Sequence, residues 1–95
     1  MVSAIKTMPD EVAILGRAIQ PDNGNWPPDV ARSVQVMSLD EKDVARMNEL
    51  AELAREGALS SDEQMEIETY RRAARLLAIF KAKAQLSLLR AGNLP

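Results

Sequence analysis

The chain has 95 residues, which sets one domain as the expectation and leaves little room for two lobes around a cleft. It holds no Cys, no His and only three aromatic residues, which excludes disulfides, thiolate or imidazole metal sites, a Cys or His nucleophile and a histidine base. The net charge of −2 hides a segregation: residues 1–39 carry −1, residues 40–68 carry −7, and residues 69–95 carry +6 with no acid, so a whole-protein basic footprint for nucleic acid is absent.

Residues 1–8 show no hydrophobic period and are expected to fray. They carry one Lys and no sustained apolar stretch, so no secretory signal is expected. No apolar run approaches the roughly 18–20 residues of a membrane span, and a cytoplasmic protein with no membrane partner is the default. Pro9-Asp10-Glu11 reads as a helix start, followed by Val12, Ile14, Leu15 and Ile19. The segment is short and contains Gly16, so an extended arm laid on the core is an equal alternative. Residues 20–28 form a loop in which Asn23-Gly24 supplies left-handed positions, three prolines block pairing, and Trp26 pins the loop to the core.

Pro28-Asp29 opens a helix over 28–37, with Val30, Ala31, Val34 and Met37 at helical spacing. Ser38-Leu39-Asp40-Glu41 reads as a capping box for a helix over 39–56, whose stripe is Val44, Met47, Leu50, Ala51, Leu53 and Ala54. Gly57 sits at a left-handed C-cap, and Ser60-Ser61-Asp62-Glu63 is a second box only two residues further on, so the flanking helices turn back as an αα-hairpin. Nothing breaks the last helix over 61–90, about 45 Å long, until Ala91-Gly92-Asn93 and Pro95. The fold class is all-α: an αα-hairpin with a long C-terminal helix, covered by a short helix and an N-terminal arm.

The shorter hairpin helix can cover the long one only to about residue 78, which leaves 79–90 overhanging by about 18 Å. Apolar residues there need cover from water. Two covers are open, and both can hold: helix 28–37 with the N-terminal arm, or a second chain, either another protein or a homodimer partner. Ile79, Phe80, Lys83, Leu86 and Leu89 are the candidate partner-binding residues. Glu49, Glu52, Glu56 and Glu66 form a candidate acidic surface that could enter a basic groove. A solvated face explains the acids more simply: Asp40, Glu41, Asp62 and Glu63 suit helix N-termini, Glu68 can pair with Arg71 and Arg72, and Glu52 with Arg55.

The basic set is Arg71, Arg72, Arg75, Lys81, Lys83 and Arg90. Without interleaved aromatics or a short recognition helix, direct nucleic-acid binding is disfavoured, and Arg71, Arg72 and Arg75 are expected to pair with the acidic helix across the hairpin. Carboxylates are abundant but lack a pocket, a histidine or a phosphate loop, so no enzyme is expected. Asp22-Asn23-Gly24-Asn25 lacks the oxygen spacing and closing Glu of a calcium loop; no metal or cofactor is expected.

Ile19-Gln20-Pro21, Pro28, Ala31-Arg32, Leu39, Asp43, Arg46-Met47, Glu49-Leu50, Arg55-Glu56-Gly57-Ala58-Leu59-Ser60, Glu63, Glu68, Tyr70, Leu76-Leu77, Lys83-Ala84 and Ser87-Leu88 carry a pattern. It resembles a group of small bacterial all-helical proteins whose genes often lie beside HNH-type or other toxin-like nucleases. The resemblance covers nearly the whole chain after residue 14. It implies an antitoxin, immunity or accessory protein. The leading expectation is therefore a non-enzymatic protein-binding module, anchored through Phe80, Leu86 and Leu89, with a nuclease as partner. A self-associating structural module and a nucleic-acid-binding regulator are the alternatives.

Overall fold

The computed structural model describes residues 10–92. The readings on residues 1–8, Pro9, Asn93 and Pro95 lie outside the described residues. Those described form four helices and no strand: α1 (Glu11–Ile19), α2 (Pro28–Gln35), α3 (Glu41–Arg55) and α4 (Ser61–Arg90).

Residues 11–19 are helix rather than extended arm. The Asp10 carboxylate accepts the Ala13 N–H at 2.8 Å, and Gln20 ends the helix in the left-handed region at φ 55. That left-handed position was expected at Asn23-Gly24. Gly24 is needed there for a different reason: a Cβ on it would lie 2.8 Å from backbone atoms of Leu86 and Ser87. The loop can lie flat on α4 only because this residue has no side chain.

α2 begins at Pro28, where the missing N–H costs nothing. It stops two residues short of the expected end because the Val36 N–H turns back to the Val34 carbonyl. α3 starts at Glu41 rather than 39, and its cap is Asp40, which accepts the Lys42 N–H at 3.0 Å. The Ser38 box does not form. A box on Asp40 would need Glu or Gln three residues on, and the residue there is Asp43, which instead accepts the Tyr70 hydroxyl at 2.9 Å. The second box forms in both halves: Ser60 Oγ accepts the Glu63 N–H at 3.1 Å and Glu63 accepts the Ser60 N–H at 3.0 Å. Gly57 ends α3 with φ 67, and Gly92 follows α4 with φ 74.

α3 packs on the first half of α4 around the fully buried Leu50. The second half of α4 receives α2 and α1. Ala31, Ala84 and Leu88 form its core, with Trp26 and Val34 against them, and Gly16 turns toward Ile79, whose Cδ1 would lie 3.5 Å from a Cβ placed on that glycine. The overhang thus has an intramolecular cover. The molecule is a thin plate of 48 × 38 × 17 Å, with a radius of gyration of 16.9 Å, against about 12–13 Å for a compact chain of this length.

The two glycines that face α4 should respond oppositely to alanine. Gly24→Ala forces a backbone clash and should destabilise by about 1–3 kcal/mol. Gly16→Ala meets only ordinary contact inside a helix and should be neutral or stabilising by up to about 1 kcal/mol. Thermal unfolding followed by circular dichroism measures both.

Candidate contact surfaces

Three sets of side chains govern what this plate can touch. The first is a clasp on the C-terminal half of α4. Trp26 stacks on Phe80 with ring centroids 6.3 Å apart, and its backbone N–H donates to Ser87 Oγ at 3.2 Å. Ser87 Oγ in turn donates to the Lys83 carbonyl at 2.8 Å. The Lys83 ammonium sits 5.1 Å from the Trp26 ring centroid and donates to the Ile19 carbonyl at 2.6 Å. Ile19 is the last residue of α1, so the cation lies where unpaired carbonyls and the negative end of the helix dipole favour it. Lys83 is only 5% exposed; its charge closes the fold.

The clasp redistributes the expected anchor residues. Phe80 lies against Trp26, Lys83 is buried, and Ile79 and Leu86 are half-buried beneath α1 and the 20–28 loop. Of the five, Leu89 alone is well exposed, at 49%. The sequence leaves the cover of the overhang open between its own short helix with the N-terminal arm and a second chain, because the reach of α1 and its loop across it is not visible in local spacing. Gly24 and Ser87 were missed for the same reason.

The second set ties the hairpin. Arg46 of α3 grips Glu66 of α4 through two bonds of 2.8 Å, and Glu63 lies 3.7 Å away. The expected pairing of Arg71, Arg72 and Arg75 with the acidic helix does not occur. Arg71 pairs with Glu68 at 2.6 Å and Arg72 donates to Thr69, both on α4 itself. Glu63, Glu66 and Tyr70 occupy the side of α4 that faces α3, so the cross-hairpin cation comes from α3. Its signal was present in Arg46, a base between the stripe residues Val44 and Met47.

The carboxyl of Glu66 is held below the usual carboxylate range, chiefly by the hydrogen bond from Arg46. Glu63 is lowered chiefly by the Ser60 backbone N–H. Arg46 is raised, chiefly by its bond to Glu66. Tyr70 is raised above 10, chiefly because its hydroxyl donates to Asp43.

The third set is what remains outside. Glu49, Glu52 and Glu56 are exposed on the outer face of α3, where Glu52 pairs with Arg55. Glu66 belongs to the hairpin seam rather than to that face. Between α1 and α4 runs an open groove of about 340 Å³ lined by Asp10, Val12, Ala13, Arg75, Ala78 and Ile79. Val36, Met37, Val44 and Met65 are exposed apolar side chains, Val36 at 82%.

No protein-family model matches the chain, and no curated protein or solved structure matches it. Among the described residues no helix is long and apolar enough to cross a membrane.

The seam predicts a pH window. Glu63 and Glu66 have lowered folded pKa values, so their stabilisation is complete above the ordinary carboxylate range and is lost as pH falls through the lowered values. Tyr70 is raised, so its contribution is present below 10 and is lost as pH rises through the folded value. Urea unfolding from pH 3 to 11 should show both limbs. Glu66→Gln should flatten the acid limb and Tyr70→Phe the alkaline one. Separately, Phe80→Ala should shift the emission of Trp26, the single tryptophan, to the red and destabilise by roughly 2 kcal/mol.

Proposed function

We propose that this protein is a non-enzymatic binding module that works by helical contact, and that its contact surface is the outer face of α3. The observation that carries this reading is where the acids stand. Glu49, Glu52 and Glu56 project from one exposed helical face, while the acids able to neutralise Arg46 are spent at the seam on the other side. The acidic end of this helix, Glu49 and Glu52 with the capping Glu56, fits a basic protein groove as a strand of nucleic acid would, by electrostatic complementarity. A nuclease groove is a surface of this kind, and the resemblance to small proteins encoded beside HNH-type nucleases supports that partner. An antitoxin, immunity or accessory role follows from such an attachment.

Co-expression with the product of the adjacent gene tests this reading. The expected result is a stable complex that survives purification at low salt and weakens as salt rises. Glu49→Lys combined with Glu56→Lys should weaken it at least about tenfold, mainly through faster dissociation and lost steering, with helicity unchanged. Failure to recover any complex would count against the nuclease partner. An unaffected complex would remove the α3 face from the interface.

A further inference from the structure

α4 carries a flank that no other described element covers. Positions 68, 71, 75, 78, 82, 85 and 89 recur at alternating three- and four-residue spacing and all are exposed. This flank is net basic and partly apolar: Glu68 pairs with Arg71, Arg75, Ala78, Ala82 and Leu89 follow along it, and the groove beside α1 opens onto Arg75 and Ala78. The outer face of α3 is its counterpart in charge. It presents Glu49, Glu52 and Glu56 together with the half-exposed Val44.

Within one chain these two surfaces cannot meet. Arg46 and Asp43 bind α3 to Glu66 and Tyr70 on another side of α4, and the short turn at Gly57 fixes that arrangement. Across two chains they can meet twice. We infer that a second copy of this chain docks its α3 on the free flank of α4, and receives the α4 flank of its partner in return, about a two-fold axis.

Three observations converge on a second copy as the occupant. Charge is the first: the α3 face presents Glu49, Glu52 and Glu56 and the α4 flank presents Arg71 and Arg75, so a two-fold exchange matches both signs at once, whereas a partner of one sign could match only one of them. Length is the second: α3 has 15 residues, about 22 Å, and the flank from Arg71 to Leu89 spans about 27 Å, long enough to receive it. Shape is the third: Ala78 and Ala82 let helix axes approach to the near end of the roughly 8–10 Å packing range. The inference rests on the proposal that the α3 face is a contact surface, and it names what fills that role in the free protein.

The test is light scattering and sedimentation of the full chain, with two charge-reversed variants. One carries Glu49→Lys, Glu52→Lys and Glu56→Lys; the other carries Arg71→Glu and Arg75→Glu. The wild type should form a dimer whose dissociation constant rises with salt. Each variant alone places like charges at both contacts and should dissociate at least about tenfold more readily. Mixed one to one, the two variants again match signs at both contacts and should form a heterodimer. Circular dichroism checks that each is folded. Ala82→Glu, an exposed helix-compatible change, gives an independent disruption if a multiple variant does not fold. A wild type that stays monomeric to millimolar concentration overturns the inference. Variants that associate like the wild type, or a mixture that stays monomeric, overturn it as well. A monomeric wild type that still captures the adjacent gene product separates the two ideas: the dimer falls and the proposed function stands.

Discussion

The second helix of the hairpin is twice as long as the first: 30 residues in α4 against 15 in α3. The hairpin turn forces the two to start together, so half of α4 emerges with no neighbour from α3. Most of the remaining structure answers that mismatch. α1, the 20–28 loop and α2 are laid across the emergent half, and each has a specific attachment to it. Gly24 admits the loop against the Leu86 and Ser87 backbone. Ser87 takes the Trp26 amide, and Lys83 reaches up to cap α1 at Ile19. The Lys83 ammonium can be buried because it meets a helix C-terminal carbonyl and an aromatic face together.

The same mismatch divides the charges into two populations. Those on facing sides are consumed as structure: Arg46 with Glu66 and Glu63, Tyr70 with Asp43, Lys83 with the end of α1. Those left outside are acidic on α3 and mainly basic on the outer flank of α4. Because two helix pairs share one plane, the molecule is only 17 Å thick, and the described chain buries just Ala31, Leu50, Ala84 and Leu88 among its apolar residues. A plate of this kind leaves much of its apolar and charged surface exposed.

Much of this was legible in the sequence, because it depends on neighbours in the chain. The helical class, the hairpin turn at Gly57, the full capping box at Ser60 and the long unbroken α4 all follow from spacing and caps within a few residues. So do the loop around Trp26 and the separation of acidic and basic segments. The shifted start of α3 marks the limit of that local grammar. Ser38 had the right pattern, but Asp40 was the better placed cap, and Asp43 was drawn away by a tyrosine 27 residues along.

Only the tertiary structure decided which surfaces remain free. Phe80, Lys83 and Leu86 look like a binding edge in the chain and are packed under Trp26, α1 and Gly24 in the fold. Arg71, Arg72 and Arg75 look like partners for the acidic helix, yet the rotation of α4 about its axis gives Glu63 and Glu66 that side and turns the arginines elsewhere. Helical spacing places side chains relative to one another on a single helix. Which side then meets a neighbour depends on the rotation of each helix and the path of the loops, and these are settled by packing between residues more than 60 positions apart, as in Trp26 with Ser87 and Ile19 with Lys83.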